Sequence, residues 1–150
     1  MRPRANALGL LFHQGRLLLE EQEGIHSQGA GIFYRPIGGT IELGEPSAET
    51  LVREYREELG ADVEIHRYVS CLENIYNIQG TVFHEITQLY IVGFEKEELY
   101  RKGSFTVTEG GRTTTAKWIS IERLRDSETV LYPSGLLELI EGELEKGIVC

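Results

Sequence analysis

Cysteine is scarce in this chain of 150 residues, being confined to Cys71 and Cys150. Neither has metal-ligand spacing or a His in a recognisable catalytic pattern, so both are expected as free thiols in a reducing cytoplasm. Basic side chains are also in the minority, 15 against 24 acidic ones for a net charge of −9. That balance argues against duplex DNA or RNA as a partner, because neutralising phosphates requires a basic surface. No apolar run approaches the roughly 20 residues needed to span a bilayer, so no membrane partner is expected. The opening MRPRANALGLLF has too short an apolar stretch, and no small-residue cleavage site, for a signal peptide. Linkers, repeats and low-complexity segments are missing too, and a single domain over residues 1–150 is expected.

What is present lies between Gly39 and Gly60. Five residues separate Gly39 from Glu45, and seven more lead to Arg53-Glu54-Tyr55-Arg56-Glu57-Glu58-Leu59-Gly60. A run of Glu and Arg taken alone reads as a solvated helix face. Seven fixed identities at about 7% usage each would match by chance on the order of 10⁻⁸ times per start, which rejects that reading. Pro46 and Ser47 suit a first helical turn and Gly60 a left-handed cap. Ala48, Val52, Tyr55 and Leu59 form an apolar stripe at helical spacing, with Leu51 at its border. Glu54, Glu57 and Glu58 fall within an arc of roughly 100° on another side. Carboxylates crowded in this way repel, and oxygen donors without His or Cys point to a hard cation, Mg²⁺ or alternatively Mn²⁺. On an acidic protein, such a cation would turn a repelling face into a phosphate site.

This spacing resembles the NUDIX box, the hallmark of MutT-like, metal-dependent hydrolases that cleave nucleoside diphosphates linked to another group. The resemblance implies that Glu54, Glu57 and Glu58 bind divalent metal with help from the carbonyl of Gly39, and that Glu57 serves catalysis. Arg53 is placed to pair with Glu57 one turn on and orient it. The implied fold is α/β, a mixed β-sheet sandwiched between α-helices (α/β/α). The implied reaction is attack of water on a diphosphate linkage, giving a nucleoside monophosphate and a phosphorylated remainder. Two residues outside the box compete as the general base, Glu109 and Glu85. In one respect the chain departs from the family's pattern: Ile37 stands between Pro36 and the two glycines.

Substrate identity is less legible. Arg35, Tyr76 and His84 are the candidate substrate-binding residues. Tyr76 stands about where subgroups acting on ADP-ribose carry a proline and dinucleoside polyphosphate hydrolases a tyrosine. ADP-ribose-like, dinucleoside polyphosphate and nucleoside triphosphate substrates stay open, as does a homodimer. Two other classes compete: a non-catalytic nucleotide-binding sensor or interaction module on the same fold, and a diphosphate isomerase. The first is expected to lose acidic box residues, all intact here; the second to use a catalytic cysteine, for which Cys71 is poorly placed.

Along the chain, Leu8–Phe12 and Arg16–Glu20 predict a hairpin turning at residues 13–15, and residues 23–31 a loop. Ile32–Tyr34 predicts a short strand, residues 35–39 a turn, and Thr40–Glu42 an extended segment. Long strands are predicted over 62–75 and 81–94, with a turn at 77–80. A strand over 113–121, a short helix at 121–124 and a last helix from Ser134 to about Lys146 complete the reading.

Overall fold

The computed structural model describes residues 2–147, so Cys150 lies outside the described residues. In order, the chain forms β1 (Arg4–Leu10), β2 (Phe12–His13), β3 (Arg16–His26), β4 (Gly29–Arg35), β5 (Ile37–Thr40) and α1 (Ser47–Leu59). There follow β6 (Val63–Ile78), β7 (Thr81–Phe94), a 3-10 turn (Glu97–Arg101), β8 (Ser104–Glu109), β9 (Arg112–Ser120), α2 (Ile121–Leu124) and α3 (Leu136–Glu145). Among the described residues no helix is long and apolar enough to cross a membrane.

Two sheets carry the architecture. The first has the order β5-β1-β7-β6 and is mixed, since β1 runs parallel to β7. The second is antiparallel in the order β2-β3-β9-β8, and β4 lies beside β2 on the same edge of β3. Side chains alternate across a strand, so neighbours in sequence enter different layers. Ala7 and Leu18 join Leu51 and Tyr55 of α1 in one core cluster. Leu8, Leu10, Leu17 and Leu19 join Leu136 and Ile140 of α3 in another. The helices therefore cover opposite faces, as the α/β/α expectation requires.

Several predicted elements are corrected. Leu8–Phe12 does not form one arm of a hairpin. Only Phe12 and His13 pair with β3, while β1 moves to the other sheet between β5 and β7. The loop expected over 23–31 is a regular β3–β4 ladder from Glu23↔Ile32 to His26↔Gly29. The turn expected at 35–39 contains β5, whose Ile37 and Gly39 pair with Gly9 and Ala7. In these cases long-range pairing overrides local turn chemistry. The β6–β7 turn is tighter than expected, with Gln79 and Gly80 at φ 52° and 86°, values that suit a two-residue hairpin. Strand β8 and the 3-10 turn had no counterpart in the sequence reading.

The apolar stripe of α1 is also rotated. Leu51, read as a border residue, is fully buried with Tyr55, whereas Ala48, Val52 and Leu59 are half-buried. The helix packs against β1 and β5 as well as β6 and β8, which widens the arc it must bury. Tyr55 donates to the Gly9 carbonyl at 3.3 Å. A Cβ at Gly9 would stand 2.6 Å from that hydroxyl, so glycine lets the helix close on β1.

Candidate active site

Helix α1 enters from Pro46, which is extended (ψ 144°) and offers no side-chain cap. Glu45, one residue earlier, organises the entry instead. It accepts the Thr50 hydroxyl at 2.7 Å and the Glu42 N–H at 3.2 Å. Arg53 grips it with two donors, Nε at 2.7 Å and Nη2 at 2.9 Å. Those donors hold the Glu45 carboxyl down at about 2, with the Thr50 hydroxyl second in effect. At the far end Gly60 is left-handed (φ 66°) and its N–H returns to the Arg56 carbonyl, the cap expected for that residue.

Arg53 is the hub of the helix surface. Besides Glu45, its Nη1 donates to Glu54 at 3.0 Å and to Glu57 at 3.1 Å, and its Nη2 to the Thr40 carbonyl at 3.2 Å. The Arg53–Glu57 pair read from the sequence is thus one contact among several. A lone exposed pair at this spacing is worth about 0.3–0.5 kcal/mol. The two-pronged grip on Glu45 fixes the plane of the guanidinium as well, which a single contact would not do.

Beneath Arg53 the carboxylates turn inward. Glu54 is largely buried and approaches β5 so closely that a Cβ on Gly39 would stand 2.5 Å from its carboxyl carbon. Burial raises the Glu54 carboxyl, against the pull of Arg53. Glu58 is buried, and its Oε2 has no hydrogen-bond partner. Burial first and Glu109 second push its carboxyl up to about 9. Glu57, by contrast, is exposed. Glu109 ends β8 rather than lying in a loop; Phe105 and Val107 on the same face pack in the α1 cluster, and alternation carries Glu109 to Glu58.

Two further members were missed in the sequence. Glu20 is buried in β3 on the face of Leu18, and it accepts the Thr114 hydroxyl at 2.6 Å. Its charge adds to that felt by Glu58. No local pattern marks either residue; they meet because Glu20 pairs with Ala116 in the β3–β9 register. Among the described residues no group of three or more His, Cys, Asp or Glu side chains is already arranged as a metal cage. Arg53 draws Glu57 and one oxygen of Glu54 toward itself, and bare like charges do not converge. Three observations nonetheless fit a hard cation: the unpartnered Glu58 oxygen, the Gly39 cradle against Glu54, and an all-oxygen donor set.

A cleft of about 340 Å³ opens beside these residues, lined by Glu20 and Glu109 together with Arg4, Arg35 and Arg112. The other sequence candidates gather at its edge. Glu85 is buried on β7, where Arg4 Nη1 lies at 3.4 Å, the Tyr76 hydroxyl at 3.2 Å and Arg35 Nη2 at 4.0 Å. Tyr76 stacks on Phe83 with ring centroids 5.3 Å apart. His84 lies next to Glu85 in a shallow surface with Arg2, Arg4 and Arg35, and its buried Nε2 has no partner. The structure thus groups Glu54, Glu58 and Glu109, and separately Glu85, Arg35 and Tyr76, with Arg4 and Arg35 spanning the two groups.

Comparison with known proteins matches a family model described as NUDIX domain to residues 2–138. No curated protein matches the chain by sequence. Among solved structures, a NUDIX hydrolase from Nitrosomonas europaea superposes with a TM-score of 0.71 at 19% identity, covering 97% of this chain and 90% of its own. A MutT NUDIX hydrolase from Burkholderia pseudomallei gives 0.68 at 21% identity, covering 93% and 98%. An ADP-ribose pyrophosphatase from Streptococcus suis gives 0.61 at 16% identity, covering 98% and 96%.

Proposed function

We propose that this chain, which belongs to the NUDIX family of hydrolases, is a divalent-cation-dependent pyrophosphohydrolase that splits a nucleoside diphosphate derivative into a nucleoside monophosphate and a phosphorylated remainder. The observation that carries the reading is Glu58, a buried carboxylate with an unpartnered oxygen beside Glu54 and Glu109. Burying such charges costs several kcal/mol per ion unless a cation joins them. Oxygen donors alone favour Mg²⁺, with Mn²⁺ as an alternative. Glu54, Glu58 and the Gly39 carbonyl are the residues that would hold it, with Glu57 at the exposed side.

When bound, the cation supplies positive charge against the phosphoryl oxygens and acidifies water at the site. The remaining work falls to the chain's own groups. Glu109 lines the cleft and is the better-supported base; it takes the proton of the attacking water. The water oxygen attacks phosphorus in line as the bond from phosphorus to the bridging oxygen breaks. Arg4, Arg35 and Arg112 offset charge gathering on the departing phosphate. Glu85 is engaged by Arg4, Arg35 and Tyr76, which suits a positioning residue better than a base. Arg35 and Tyr76 then contact substrate at the mouth of the cleft, with His84 beyond them. The exposed thiol of Cys71 is compatible with a reducing cytoplasm.

EDTA is expected to abolish hydrolysis, and Mg²⁺ or Mn²⁺ to restore it. Chromatographic detection of nucleoside monophosphate, over nucleotide sugars including ADP-ribose, dinucleoside polyphosphates and nucleoside triphosphates, measures this. Turnover indifferent to EDTA on every substrate would refute the assignment. Arg53→Lys keeps a charge but loses the two-pronged grip on Glu45. Its affinity for Mn²⁺, read by titration, is expected to fall about 10- to 100-fold, the usual effect of removing a group that orients metal ligands.

A further inference from the structure

Two β-arms run past the packed core. Beyond Glu21 the β3–β4 ladder is mostly half-buried or exposed, and so is the β6–β7 hairpin beyond Tyr76. Between them lies a cavity of about 320 Å³, walled by Ile25, His26 and Phe33 from the first arm, Ile75 and Tyr76 from the second, and Tyr132 behind. That volume is within the usual range for small-molecule sites, roughly 300–1,000 Å³. Ile25 and Ile75 are 54% and 69% exposed at its rim.

The aromatic wall is held in place. His26, Phe33 and Tyr132 meet pairwise with centroids 5.3 to 5.7 Å apart, and Phe33 stands edge-on to Tyr132 at 83°. The Tyr132 hydroxyl is fixed by Ser27 Oγ at 2.5 Å, His26 Nδ1 at 3.2 Å and the Gln28 N–H at 3.2 Å. Gln22 and Arg35 line this cavity and the arginine-lined cleft alike. The two spaces are thus neighbours through a guanidinium, the group that suits a phosphate placed between them.

We propose that the cavity between the arms is the base subsite, taking the purine or pyrimidine ring of the nucleotide half of the substrate while its phosphates reach back past Arg35. A flat ring needs apolar and aromatic faces on which to stack and few polar partners. The wall of Ile25, Phe33, Ile75 and Tyr132 supplies those faces. The same lining carries Gln22, Glu73, Asn74 and Ser134, polar side chains available to the exocyclic groups of a stacked base and to the hydroxyls of its ribose. That a nucleotide is the ligand rests on the pyrophosphohydrolase reading above.

Binding of reaction products tests the subsite without requiring turnover. The full chain is titrated calorimetrically with AMP, GMP, CMP and UMP, and with ribose 5-phosphate as the probe lacking a base. At least one nucleotide is expected to bind about tenfold more tightly than ribose 5-phosphate, a difference the affinity scale resolves readily. Ile25→Arg and Ile75→Arg change exposed positions at the rim and should erase that preference. Ile32→Arg, next to Phe33 but outside the cavity lining, adds the same charge to the same arm and should keep it. No preference in the unaltered protein, or one that survives both rim variants, overturns the proposal. Should no substrate be hydrolysed while the preference appears and vanishes as described, the catalytic reading fails and the base subsite stands.

Discussion

Glu58→Gln is expected to lower kcat by about 10³-fold, equivalent to about 4 kcal/mol in activation free energy, while the protein stays folded. The expectation follows from where Glu58 sits. Its carboxylate is buried beside two others, and its Oε2 has no partner to lose. An amide of the same shape removes the free-energy cost of ionising or protonating a carboxyl in that pocket, so thermal stability near neutral pH should hold or rise. Stability retained with activity lost separates a functional carboxylate from a structural one. Turnover measured beside a thermal melt decides it, and unchanged Mg²⁺-dependent turnover in Glu58→Gln would sink the assignment. The paired variants Glu109→Gln and Glu85→Gln separate the rival bases. Loss of the base is worth about 10²–10⁴-fold in kcat, and it should appear in the first. Glu85→Gln should instead act mainly on KM, through the arginines that Glu85 holds.

Gly39→Ala is expected to be nearly as damaging, although it adds one carbon to a short strand. The new Cβ would stand 2.5 Å from the Glu54 carboxyl carbon and Oε1, closer than real side chains approach. Either Glu54 swings away or β5 shifts against β1, where Gly39 pairs with Ala7. Both displace the donor set, and misplacement by about 1 Å can cost on the order of 10²-fold in rate. Mn²⁺ titration should report the same loss independently of turnover. Wild-type cation affinity in Gly39→Ala would remove the glycine from the site.

The sequence was most legible where function is local. Gly39, Glu45, Arg53, Glu54 and Glu58 lie within one short stretch, so spacing alone could present them as a unit, and helix α1 ends at Gly60 as that spacing implies. The rotation of α1 escaped detection for a physical reason. Apolar patterning treats every Glu as outward-facing, whereas Glu58 shares the buried arc with Leu51 and Tyr55. Glu109 was legible only as a candidate because strand β8 has to exist before its alternation aims the residue at Glu58. Glu20 and Thr114 were out of reach, since only the pairing of β3 with β9 joins them. The inter-arm cavity was hidden by reading residues 23–31 as a loop; glycines and polar residues suggested punctuation where a ladder continues.

The parallel seam between β1 and β7 also sets an order of events during synthesis. Arg4 finds its partner at Glu85, and Leu10 at Ile91, so β1 must wait until about 80 further residues have emerged. Contacts of such sequence separation form slowly, because loop-closure entropy is spent before they repay it. The glutamates of α1 therefore leave the ribosome well ahead of the seam that anchors the sheet beneath them, and Glu109 follows later still. Assembly of the chemistry is in this sense a late step of folding, and a nascent chain halted before β7 carries the signature stretch without its working geometry.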